Sequence, residues 1–145
     1  MSGEGIDQAM GPLIEAMNRM PYIQTFSCCE GHPEEAAVRK YGYAVANIVL
    51  EVQDEPRNLM SWLSFVRHVL RQRKKTSVER DFAFIITKKF GLNEEDNLGW
   101  DWEIKIQATA QNPQDCRRGL DDGIAFLTRR FEEGAAKHKR DREAL

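Results

Sequence analysis

Nowhere in the 145 residues does an apolar run approach the roughly 20 needed to cross a bilayer. The opening residues, Met1-Ser2-Gly3-Glu4-Gly5, lack the basic segment and apolar core of a secretory signal. A cytoplasmic protein with no membrane partner is the resulting expectation. Cysteine is scarce: there are three, two of them adjacent, an odd count that excludes a self-contained disulfide framework and fits reduced thiols. No C-x-x-C pair is present, so a paired-cysteine zinc motif is missing. A strong excess of either charge is also absent, the formal net charge being −2. That balance lacks the basic stripe of a dedicated nucleic-acid binder.

What is present describes one ordinary globular chain, 41% hydrophobic and 30% charged. Its length fits a single domain over residues 1–145, with residues 135–145 expected to fray as a charged tail. The charges are unevenly placed. Residues 1–60 hold 9 acids against 4 bases, and residues 61–145 hold 14 against 17, a mild hint of an anionic partner.

Ile6, Met10, Leu13, Ile14 and Met17 predict a first helix that is kinked by Pro12 or starts at it. Residues 22–28 predict a short strand, and 30–40 a loop marked by Gly31 and Pro33. Residues 43–53 alternate and predict a strand with one buried side. Asp54-Glu55-Pro56 opens a helix whose expected buried stripe is Leu59, Leu63, Val66, Val69 and Leu70, with Trp62 also on the inner side. Its end, Arg71, Arg73, Lys74 and Lys75, suits the negative pole of the helix dipole.

Phe82-Ala83-Phe84-Ile85-Ile86 does not alternate and predicts a central strand covered on both faces. Trp100, Trp102, Ile104, Ile106, Ala108 and Ala110 alternate with polar residues, predicting a long strand with one wet face. After Asn112-Pro113, a last helix buries Cys116, Leu120, Ile124, Leu127 and Phe131. The class is α+β in the order α-β-β-α-β-β-α. It implies a four-stranded, mostly antiparallel sheet with helices on one face, a ferredoxin-like or related sandwich with altered connectivity.

Chemistry concentrates in Ser27, Cys28, Cys29, Glu30, Gly31 and His32, at the end of a predicted strand beside an open polar sheet face. Three readings stand. Cys29 and His32 have C-x-x-H spacing for a metal such as zinc, with Cys28 as a third ligand but no second pair. Cys28 or Cys29 serves as a nucleophile if His32 lowers its thiol pKa. In the third, one cysteine is a small core residue, Gly31 takes a positive φ, and His32 is exposed.

These residues, together with Pro12-Leu13-Ile14, Asn18, Pro21-Tyr22 and Thr25, resemble the N-terminal segment of the wybutosine-synthesis tRNA methyltransferase family. That family carries an S-S-C-S-G-R loop, which Ser27, Cys29 and Gly31 match. Cys28 and Glu30 stand where it has serines, and His32 where it has arginine. The similarity covers about a fifth of the chain and implies shared local structure before shared activity. It implies methyl transfer from S-adenosylmethionine to a modified guanine in tRNA, hence an RNA or nucleotide partner. The loop's N–H groups and Ser27 would hold a polar or anionic group of that partner. The alternatives are a non-catalytic interaction module, a homo-oligomer built through the Trp100 strand or its neighbouring edge, and a zinc- or thiol-dependent enzyme.

Overall fold

The computed structural model describes residues 10–31, 35–53, 55–75, 82–92 and 98–143. Helix α1 spans Gly11–Asn18 with Pro12 in its first turn, so the proline starts the helix, where its missing N–H breaks no bond. Leu13, Ile14, Ala16 and Met17 form its buried stripe. Strand β1 (Ile23–Cys29) follows. Helix α2 (Glu35–Tyr41) then occupies part of the expected loop. Its sequence, Glu-Ala-Ala-Val-Arg-Lys-Tyr, is rich in helix formers, and Val38 is buried. Gly42 ends it at φ 73°, donating its N–H to the Val38 carbonyl at 2.7 Å.

The remaining elements are β2 (Tyr43–Val52), α3 (Pro56–Lys75), β3 (Phe82–Leu92), β4 (Leu98–Thr109) and α4 (Pro113–Glu143). The four strands form one sheet in the order β1-β2-β4-β3, and every neighbouring pair is antiparallel. Strands β2 and β3 flank β4 and run parallel to each other, so β2, α3 and β3 make a split βαβ unit. This is the expected α+β sandwich with altered connectivity, enlarged by α2.

Strand order and the facing of α3 also differ from expectation. Strand β3 is an edge strand, not a central one. Its apolar run is divided between faces: Phe82 is buried, whereas Ile85 is 42% exposed on the helix-free side. In α3, Leu63 and Leu70 face outward and Trp62 and Val69 face inward, with Leu59, Phe65 and Val66 half-buried. The helix rotates to bury its largest side chain, since aromatic burial contributes more than an aliphatic side chain does. Trp62 meets Trp102 edge-on at 5.7 Å and stacks near Phe131 at 6.4 Å.

Strand β4 alternates as expected, with Trp102, Ile104, Ile106 and Ala108 buried; the Trp100 side chain lies outside the described residues. Because β4 is paired on both sides over residues 101–108, that stretch cannot join two copies edge to edge. The expected inner face of α4 is buried throughout. The segment after Gly134, read from charge as a fraying tail, is helical through Glu143. Its charge pattern hides two contacts: Gly134 lies against Phe65, and the His138 ring meets the edge of Tyr22 at 6.0 Å. Among the described residues no helix is long and apolar enough to cross a membrane.

Tyr22 is 5% exposed, and burial pushes its phenol up to about 12. Below about pH 10 the phenol is neutral in both states and its contribution is fully present. Above that, the unfolded chain ionises while the folded one resists, so stability falls by at most about 1.4 kcal/mol per pH unit until the folded phenol ionises. Urea unfolding at rising alkaline pH should show this slope, and Tyr22→Phe should flatten it.

Candidate functional site

Strand β1 reaches the candidate loop through a bulge between Thr25 and Ser27. The extra residue, Phe26, is 45% exposed, and the bulge re-aims everything after it. Thr25 points inward, 2% exposed, where its hydroxyl hydrogen-bonds Asn18 at the end of α1. Beyond the bulge, Ser27 lies opposite Val49, Cys28 opposite Ile48 and Cys29 opposite Asn47.

Side chains alternate along a strand, so the adjacent cysteines lie on opposite faces. Cys28 is on the helix side, packed partly buried against the core. Cys29 and Ser27 are on the helix-free side. The structure therefore matches part of the third reading, in which one cysteine is a small core residue. A site using both thiols is not what this strand presents.

Gly31 closes the strand end at φ 88°, the positive value expected of it. It is wedged between elements: a Cβ there would lie 2.6 Å from Leu120 Cδ1 and 3.0 Å from the Val45 carbonyl oxygen. Arg117 of α4 clasps the same turn. Its Nη2 donates to the Glu30 carbonyl at 2.8 Å, its Nη1 to the Gly31 carbonyl at 3.0 Å, and its Nε to Asp121 at 3.0 Å. From sequence, Arg117 belongs to a mixed charged surface; its role depends on a contact across 86 positions that no local pattern encodes.

A planar guanidinium fork makes both carbonyl bonds at once, which an ammonium cannot do. Arg117→Ala should therefore cost about 1–2 kcal/mol, and hydrogen exchange should quicken at residues 29–31 first. Arg117→Lys should recover only a minor part.

The strand register extends the site across the sheet. Cys29, Asn47, Lys105 and Ile85 form one row on the helix-free face, and Ser27, Val49, Glu103 and Thr87 form the next. With strands about 4.8 Å apart, Cys29 and Lys105 are separated by roughly 10 Å. Glu103 is the unexpected member. The alternation assigns it to solvent, yet it is 4% exposed. Asn47 Nδ2 donates to its Oε2 at 3.2 Å, and the Lys105 ammonium lies 3.6 Å from its Oε1. Burying a carboxylate is costly unless such partners hold it. Glu103 and Lys105 are neighbours on one face of β4 by strand period, whereas Asn47 joins them only once β2 and β4 pair.

The two rows together hold a thiol, an amide, an ammonium and a carboxylate in fixed positions. His32 lies outside the described residues. Among the described residues no three His, Cys, Asp or Glu side chains are grouped to hold a metal ion. The third thiol, Cys116, is fully buried, and burial pushes its pKa up; its Sγ lies 3.7 Å from the Ala108 carbonyl. That is a packing cysteine. Set against known proteins, the chain matches no family model, no curated protein and no solved structure.

Proposed function

We propose that the protein binds a nucleotide-like molecule on the helix-free face of its sheet, along Ser27, Cys29, Asn47, Glu103 and Lys105. The observation that carries this reading is the buried Glu103 carboxylate, held by Asn47 and Lys105 on a face that none of the described helices covers. The carboxylate fixes the neighbouring amide and ammonium, and these offer donors to the oxygens and ring nitrogens of a nucleotide. The loop's resemblance to the wybutosine-synthesis family names S-adenosylmethionine and an RNA nucleotide as the two molecules to try. Methyl transfer is the reaction that resemblance implies.

The test is thermal unfolding of the reduced protein with S-adenosylmethionine and, separately, with guanosine monophosphate. Either compound at about a hundred times its Kd should add ~2.7 kcal/mol, roughly 5–10 °C. The shift should shrink in Cys29→Ala and Lys105→Ala. The absence of a shift with both compounds at millimolar concentration would remove this reading.

A second reading is favoured by the place of β3. It forms one edge of the sheet and exposes Ile85 beside that edge. Edge strands are templates for pairing, and two copies joined through β3 would form a continuous sheet. Sedimentation would show a dimer that Ile85→Lys disrupts.

A further inference from the structure

On the opposite side of the molecule, α3 and α4 enclose a groove of about 700 Å3. One part of its wall is apolar, formed by Tyr22, Met60 and Phe65. Met60 is 70% exposed there, an unusual position for a large apolar side chain. Gly134 sets the floor, because a Cβ at this point would lie 2.8 Å from Phe65 Cε2. Only the missing side chain lets Phe65 lie against α4.

Basic side chains share the rest of the lining with two carboxylates and two serines. Arg130, Lys137 and Arg140 project from α4, and His68 of α3 and His138 of α4 join them. Two of the chain's three histidines, 70 positions apart, thus line one depression. Glu133 and Asp141 are the opposing carboxylates, and Glu133 is engaged by Arg130 at 3.2 Å. Interspersed charges on a helix are commonly just a solvated surface. Concavity distinguishes this cluster, and so does Arg130. Its side chain is 16% exposed, its guanidinium lies 5.0 Å from the Phe126 ring centroid, and its Nε is buried with no acceptor among the described residues. The packing on Phe126 and the Glu133 ion pair hold the guanidinium in place at the groove's wall, so its charge is fixed there.

We propose that this groove binds a small organic phosphate. Its phosphomonoester head sits among Arg130, Lys137 and Arg140, with the two imidazoles as further donors, and its apolar body lies against Tyr22, Met60 and Phe65. Phosphate oxygens match the guanidinium forks, and an apolar body adds affinity in proportion to the area it buries. This site is independent of the sheet-face reading and shares no residue with it.

Calorimetric titration of the full chain with inorganic phosphate and with phenyl phosphate tests it. Phenyl phosphate should bind at least about tenfold more tightly than inorganic phosphate. A Lys137→Gln/Arg140→Gln variant should weaken both by about tenfold or more, whereas Met60→Ser should reduce only the preference for phenyl phosphate. Lys105→Ala, on the sheet face, should bind both normally, so failure here and failure of the sheet-face site are separable. All the groove variants alter surface side chains, and their circular dichroism should match the parent's. Equal affinity for the two phosphates, no binding at millimolar concentration, or unchanged binding by the double variant would overturn the proposal.

Discussion

Trp62→Ala is expected to lower the unfolding free energy by about 3–5 kcal/mol, and Tm by roughly 10–20 °C. Trp62 is fully buried and holds the middle of α3 to the rest of the molecule. Its ring meets Trp102 of β4, Phe131 of α4 and Phe65 on its own helix, all with centroids between 5.7 and 6.4 Å. Apart from Val69, the buried anchors of α3 are few, because Met60, Leu63 and Leu70 face outward. Truncation removes the largest of these anchors and leaves a cavity at the junction of sheet and helices, where three other aromatic rings limit collapse.

Trp62→Phe separates packing from polarity. The indole Nε1 is buried with no acceptor among the described residues, so the replacement gives up no hydrogen bond. It should cost only about 1–2 kcal/mol, through the smaller ring. Urea unfolding would compare the two variants. A loss below about 1.5 kcal/mol for Trp62→Ala would mean that α3 is held by something other than this aromatic cluster.

The aromatic junction also shows what local patterns could and could not reveal. The alternation of β4 and the inner stripe of α4 are readable because each element buries one face and its period shows which. In α3 the same logic places Trp62 inward, as found, but also picks Leu63 and Leu70, since stripes with and without those leucines differ by a small rotation. The rotation is settled by Trp102 and Phe131, which are far along the chain. In β3 an unbroken apolar run suggests two covered faces, but strand order depends on a crossover through α3 that the run does not encode. Helix α2 escaped because Gly31 and Pro33 extend a loop signal into residues whose own propensity is helical. Its stop at Gly42 was the available clue.

The candidate site was legible in the same partial way. Ser27, Cys29 and Gly31 stand out by residue type, and Gly31 has the backbone conformation its type suggested. The separation of Cys28 from Cys29 follows from strand period alone, once β1 is known to continue to Cys29 instead of ending one residue earlier. Glu103, Asn47 and Lys105 were visible only as outward-facing polar residues. The meeting of Asn47 with the other two depends on cross-strand register, which a bulge or a one-residue slip would undo.

Gly31→Ala is the most direct probe of that site's frame, with an expected loss of about 2–4 kcal/mol. Two costs act together. At φ 88° an alanine occupies backbone space that L-residues disfavour by about 1–2 kcal/mol. Its methyl would also lie 2.6 Å from Leu120 Cδ1 and 3.0 Å from the Val45 carbonyl oxygen. The alanine lowers unfolded-state entropy, offsetting only about 0.4–1 kcal/mol. Leu120 Cδ1 ends a flexible side chain and can swing away, whereas the Val45 carbonyl belongs to the backbone of β2 and cannot move without disturbing the sheet.

A double-mutant cycle with Leu120→Ala separates these contributions. Removing the leucine should make Gly31→Ala less damaging than in the parent, but a residual cost of about 1–2 kcal/mol should remain from φ and the carbonyl. Complete additivity would place the strain wholly in the backbone. Displacing Gly31 should also pull its carbonyl from Arg117, so exchange at residues 29–31 should rise beyond what the global loss explains. If Gly31→Ala were neutral in both unfolding and exchange, the turn would not be held between α4 and β2, and a fixed Ser27–Cys29 edge would lose its support.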